Sequence, residues 1–221
     1  MNILGLDTST PASAAAVLRG DGRAFAREPE PAELTGRPAH SAELMPRAAA
    51  ALADAGLEWG QLDAVAVGVG PGAFTGLRIG VATARALAAA HGLELRPVSS
   101  LAALAAGIDA PLALPLIDAG RGEVFAALYE GDEELWPPFA ATPQAVAERV
   151  RHGGHTPLGA GNGSVRWADV LEAGGVRVVP AGQQAHVPSA MAICRLALGT
   201  PATPAEAVLP DYVREPDVQA P

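Results

Sequence analysis

The chain opens on short apolar runs with strand character. Residues 2–6 and 12–18 read as two strands joined by a turn at residues 8–11, and Gly20-Asp21-Gly22 marks a hairpin into a third strand at 23–27. The proline-rich, acidic stretch 28–38 reads as a loop. From His40 the period lengthens: Leu44, Ala48, Leu52 and Ala55 share one helical face, giving a helix over 40–55. Pro46 offers no N–H to the preceding turn, so it is expected to bend or restart that helix. A strand at 65–69 follows. A second helix starts at Phe74 or Thr75 and stops near His91-Gly92, where the glycine suits a helix end.

Beyond Gly107 the pattern repeats in smaller form. Strands are expected at 112–117, 123–129 and 134–139, a helix at 143–151, a buried strand at 157–160, and helices at 165–172 and 187–198. These divide the chain into a first lobe, 1–107, and a reduced second lobe, 108–188. The segment 189–221, a C-terminal helix and tail, is expected to return to the first lobe.

Composition narrows the function classes. A chain of 221 residues has core enough for one large domain or two lobes. Its net charge of −9 disfavours a broad nucleic-acid-binding face. Arg149, Arg151 and Arg166, with His152 and His155, form a local basic spot whose simplest reading is a solvated surface. Cys194 is the only cysteine, which excludes an internal disulfide. Lying in an apolar run, it is expected to be a buried, inert thiol. The first residues lack a cationic start, and no apolar stretch suffices for a membrane span, so a cytoplasmic protein without membrane contact is expected.

The densest information lies in Gly68-Val69-Gly70-Pro71-Gly72-Ala73-Phe74-Thr75-Gly76-Leu77-Arg78-Ile79-Gly80. A glycine-rich strand-to-helix joint presents free N–H groups at a positive helix end, which suits phosphate or a tightly docked partner. It is not a Walker loop, because no lysine follows the glycines, and it lacks the third glycine of the dinucleotide fingerprint. The segment resembles the GPGSFTGLRIG pattern of the TsaB (YeaZ) family, with Ala73 where the family usually has serine. Asp7-Thr8-Ser9, His40-Ser41-Ala42-Glu43-Leu44-Met45-Pro46, Val98-Ser99-Ser100-Leu101, Asp118 to Phe125 and Tyr212-Val213-Arg214 resemble further family segments in the same order.

The resemblance implies an α/β actin-like ATPase (hexokinase/heat-shock-protein) fold, with two lobes that each carry a mixed sheet flanked by helices. It implies a non-catalytic subunit, free of cofactor and metal, of the bacterial machinery that makes threonylcarbamoyladenosine in tRNA. The implied partners are a TsaD-type threonylcarbamoyl transferase, a TsaE-type P-loop ATPase, and a second copy of the chain when it is alone. The tRNA would be met only indirectly, through the complex, although contact by the 149–166 region is left open. In the family the first two helices pair with their counterparts in the transferase.

Individual residues sharpen this reading. In active members of the superfamily the counterpart of Asp7 and its turn hold phosphates, so Asp7, Thr8 and Ser9 are candidates for weak nucleotide contact; a structural Asx-turn explains them at least as well. The catalytic relative carries two metal-binding histidines one turn apart, whereas here His40 is flanked at that spacing by Gly36 and Leu44. A lone histidine reads as a helix-start or interface residue. Gly76, Gly80, Ala84 and Ala88 leave one helix face nearly without bulk, open to close approach by another helix or by the chain's own sheet. The expected partner surface is therefore His40, Ser41, Leu44 and Met45 with Leu77, Arg78, Gly80, Val81 and Ala84. Gly159 to Gly163, Asp118, Arg121 and Glu123 fit ordinary turns and surface ion pairs. The alternatives are a minimal nucleotide-dependent transferase built on Asp7, and a metallopeptidase, for which HExxH is missing.

Overall fold

The computed structural model describes residues 1–213. Arg214, the last residue of the tail motif, lies outside the described residues. The first lobe is a five-stranded sheet built from β1 (Ile3–Asp7), β2 (Ala14–Leu18), β3 (Ala24–Arg27), β4 (Ala64–Gly70) and β5 (Glu94–Ser99), ordered β3-β2-β1-β4-β5. The hairpins make β1–β2 and β2–β3 antiparallel, and the helical crossovers make β1–β4 and β4–β5 parallel. β1 and β2 are buried along their whole lengths, as expected of central strands covered on both faces.

One face of this sheet carries α1 (His40–Asp54) and α2 (Phe74–His91), which bury Leu44, Ala48, Leu52, Val81, Ala84 and Leu87 against Leu4, Leu6, Val65 and Val67. The other face carries α7 (Ala190–Ala197), whose Ile193, Cys194 and Ala197 pack on Ile3, Ala14 and Ala16. Gly5 permits that approach: a β-carbon there would sit under 3.0 Å from Cys194 Sγ and Ala190 O. Burial pushes the Cys194 thiol up to about 12, so it stays protonated and inert.

The second lobe repeats the plan with β6 (Leu112–Gly120), β7 (Glu123–Glu130), β8 (Glu133–Ala141), β9 (Leu158–Ala160) and β10 (Arg177–Val178), ordered β10-β9-β6-β7-β8. α3 (Ser100–Ala105) lies against β6, and α4 (Pro143–His152) and α6 (Ala168–Ala173) cover its other face. Among the described residues no helix is long and apolar enough to cross a membrane.

Three local expectations change. α1 runs unbroken through Pro46, because Pro46 and Ala42, whose carbonyl loses its partner, both face solvent. The helix expected at 165–172 is two, α5 (Asn162–Arg166) and α6, separated by Trp167 at φ −119°, ψ 27°. β5, α3 and β10 form where no element is expected from the sequence.

Candidate functional site

Asp7 ends β1 and is 1% exposed. Its Oδ1 accepts from Ser9 N (2.9 Å) and Ser9 Oγ (2.6 Å), and its Oδ2 accepts from Ser100 Oγ (2.7 Å). Desolvation raises its carboxyl pKa despite these bonds. Thr8 and Ser9 are fully buried, so the turn is a closed Asx-turn rather than an open anion cradle.

What closes it is the glycine-rich segment itself. Ala73 N donates to Ser9 O (2.7 Å), and Thr8 Oγ1 donates to Gly76 O (2.8 Å). A β-carbon on Gly72 would collide with Ser9, one on Gly76 with Thr8 O, and one on Gly80 with Thr8 Oγ1, each well inside 3.0 Å. The glycines let the start of α2 ride directly on the β1–β2 turn. The joint that reads in the sequence as a phosphate or partner seat is thus filled by the chain's own backbone.

His40 is the first residue of α1, and its Nδ1 shares a hydrogen bond with Ser13 Oγ at 2.9 Å. Nε2 is buried without a partner, 3.0 Å from where a Gly76 β-carbon would stand. Burial lowers its pKa and keeps the ring neutral. Among the described residues no group of three or more His, Cys, Asp or Glu side chains could hold a metal ion.

The residues of the expected two-helix surface divide into buried and exposed ones. His40, Leu44, Leu77, Gly80, Val81 and Ala84 are buried in their own chain, because the small-residue face of α2 is spent on Thr8 and the sheet. Ser41, Met45 and Arg78 do point outward. The stripe that α2 shows to solvent is Thr75, Arg78, Ala82, Ala86 and Ala89; on α1 it is Ala42, Met45, Ala49 and Ala53. At the head of α2 the Arg78 guanidinium lies 3.9 Å from the Phe74 ring centroid, and Arg78 Nε donates to Tyr212 Oη at 3.1 Å. The Phe74 and Tyr212 rings stand 5.2 Å apart, each about two-fifths exposed. In the sequence Phe74 marks only a possible start of the second helix; its pairing with Tyr212 joins positions far apart in the chain.

Between the lobes lies a cleft of about 630 Å³. Pro11, Pro31 and Leu34 form its apolar wall, and Asp118, Asn162 and Arg166 its polar one. Arg166 Nη1 pairs with Asp118 Oδ2 at 2.7 Å, and Asn162 Oδ1 accepts from Asp118 N at 3.0 Å. His186 is saturated: Gly161 N donates to Nδ1 and Nε2 donates to Pro180 O, so the 159–163 turn is braced by its own lobe.

The Escherichia coli tRNA threonylcarbamoyladenosine biosynthesis protein TsaB is 34% identical over 185 residues, covering 80% of this chain and 78% of that protein. The chain belongs to the TsaB (YeaZ) family. Residues 33–149 match the family model TsaD: tRNA N6-adenosine threonylcarbamoyltransferase. YeaZ from Pseudomonas aeruginosa superposes with a TM-score of 0.76 at 29% identity, over 96% of this chain and 99% of that one. EutJ from Carboxydothermus hydrogenoformans shares the fold alone, with a TM-score of 0.52 at 14% identity over 87% of this chain and 89% of that one. Together with the two helix-flanked mixed sheets, these likenesses give the TsaB-family chain a two-lobed actin-like fold. An uncharacterized Mycobacterium leprae protein is 38% identical over 144 residues, 65% of this chain but only 40% of that protein. For an uncharacterized Mycobacterium tuberculosis relative, 42% identical over 127 residues, both shares are 58%.

Proposed function

We propose that the chain is a non-catalytic subunit in threonylcarbamoyladenosine synthesis, binding and stabilising a TsaD-type transferase through the outer faces of α1 and α2. The observation that carries this reading is the exposed stripe Ala42, Met45, Ala49 and Ala53 beside Ala82, Ala86 and Ala89. Two adjacent helices rarely leave such small apolar faces in water, and small side chains let a second helix pair approach closely. The name of the E. coli relative supports the pathway. The buried Asp7-Thr8-Ser9 turn and the solitary, neutral His40 support a role without chemistry of its own. A TsaE-type ATPase would dock on the resulting pair, and a second copy would occupy the same helix face when the transferase is absent.

Size-exclusion chromatography with light scattering tests this. A one-to-one heterodimer replacing a homodimer on addition of the transferase is expected. Separate elution of the two proteins, with the ATPase and nucleotide present, would contradict it.

A further inference from the structure

The basic spot of the second lobe does not behave as one surface. Arg166 is taken by Asp118, whereas Arg149 sits in the corner of two aromatic rings, its Cζ 4.3 Å from the Trp136 centroid and 4.6 Å from that of Phe139. Those rings meet edge to face at 6.3 Å, and His155 abuts Trp136 at 5.5 Å. Stacking of this kind fixes a guanidinium plane without consuming its N–H donors. Among the described residues, neither the Arg149 nor the Arg151 side chain makes a hydrogen bond or ion pair, and both are exposed. Trp136, Phe139 and His155 remain half-buried beside them.

An arginine held rigid with its donors free is prepared for a bidentate anion such as phosphate. With the rings packed on the core beneath it, the exposed guanidinium itself offers a plane on which an unpaired base can stack, which an acidic peptide or a lipid headgroup would not use. Acidic groups stand on the surrounding elements, Asp169 and Glu172 on α6, which packs against α4, among them. Glu148 lies on the same helix, and Glu133 and Glu134 begin β8, with Glu134 engaged by Tyr129 Oη at 3.2 Å. The chain's net charge of −9 repels polyanions in general, so binding here must come from local geometry.

We propose that Arg149, supported by Arg151 and framed by Trp136, Phe139 and His155, binds the phosphate backbone of a single-stranded RNA loop. The inference rests on the proposed pathway only for the kind of RNA to offer. Its test is separate: anisotropy of a fluorescein-labelled RNA hairpin with an anticodon-type loop, titrated with the full chain alone at several KCl concentrations.

Arg149→Ala is expected to weaken binding about tenfold and to lower the slope of log affinity against log salt by about one. Arg149→Lys should recover the slope but not the affinity, since it keeps the charge and loses the fork. Association with the transferase, followed in parallel, should be unaffected by either change. Absence of RNA binding by the wild type, an unchanged affinity and slope in Arg149→Ala, or equal displacement by polyglutamate would each overturn the proposal.

Discussion

Thr8 and Gly80 lie in direct contact, with no room at position 80 for a β-carbon beside Thr8 Oγ1. Residues of β1's end and of α2's second turn are thereby locked face to face, and the same hydroxyl donates to Gly76 O. Gly80→Ala is expected to cost about 1–3 kcal/mol, seen as a lower midpoint in thermal or urea unfolding. In a Thr8→Ala background the second substitution should cost much less, since the colliding oxygen is gone; additive effects would show that the contact is not close. Gly76→Ala meets the Thr8 backbone oxygen instead, so no change of side chain at position 8 should rescue it.

Glu28 reaches from the end of β3 to the start of α7, accepting from Ser189 Oγ, Ala190 N and Met191 N. It therefore ties the C-terminal helix to the first sheet. Glu28→Ala should destabilise by about 1–2 kcal/mol, the usual cost of losing a helix cap, and Glu28→Gln by clearly less. Urea midpoints at neutral pH decide between them.

The buried titratable groups pull stability in opposite directions with pH. The His40 pKa is lowered from 6.5, so its neutral ring favours the folded state above 6.5, and that contribution is lost as pH falls below this value. Asp7 and Glu28 are raised from 3.8 and 4.5 by desolvation. Their protonated forms favour the folded state, and that contribution disappears as pH rises through the folded values. His40→Gln should therefore flatten the fall in melting temperature below pH 6.5, relative to wild type. An identical pH profile in the variant would show that His40 does not titrate with unfolding.

Asp7→Asn removes a buried charge while keeping an acceptor for Ser9. Its cost is expected to stay within about 1 kcal/mol and to shrink against wild type as pH rises through the folded Asp7 pKa, which desolvation raises. A nucleotide-binding carboxylate would instead show its loss in ligand binding, with no such pH trend in stability.

Much of the architecture was legible because periodicity reports burial. Leu44, Ala48 and Leu52 announced the face of α1, and Gly92, at φ 66°, the end of α2. The family was legible in the 68–80 segment, where the glycines appear at spacings that only a close approach explains. Which surface they approach was not: Gly76 and Gly80 read equally as a seat for a foreign helix or for Thr8, because spacing fixes a face of α2 but not its neighbour. The choice is tertiary: it buries Leu77, Gly80, Val81 and Ala84, leaves Arg78 of the expected surface outside, and sets Ala82, Ala86 and Ala89 beside it. Long-range pairs such as Ser13 with His40, Ser100 with Asp7, and Glu28 with α7 left no sequence signal, since each joins positions far apart in the chain through one side chain's hydrogen bonds.

The central claim is that the outward alanines of α2, and not its glycine face, meet the transferase. The most direct test is calorimetric titration of the TsaD-type partner with wild type, Ala86→Arg and Met45→Glu, each first shown to melt as wild type does. Loss of binding by about tenfold or more in both folded variants is the expected result, since a charge would be buried at a close helix contact. Wild-type affinity in both would contradict the claim and move the interface away from α1 and α2.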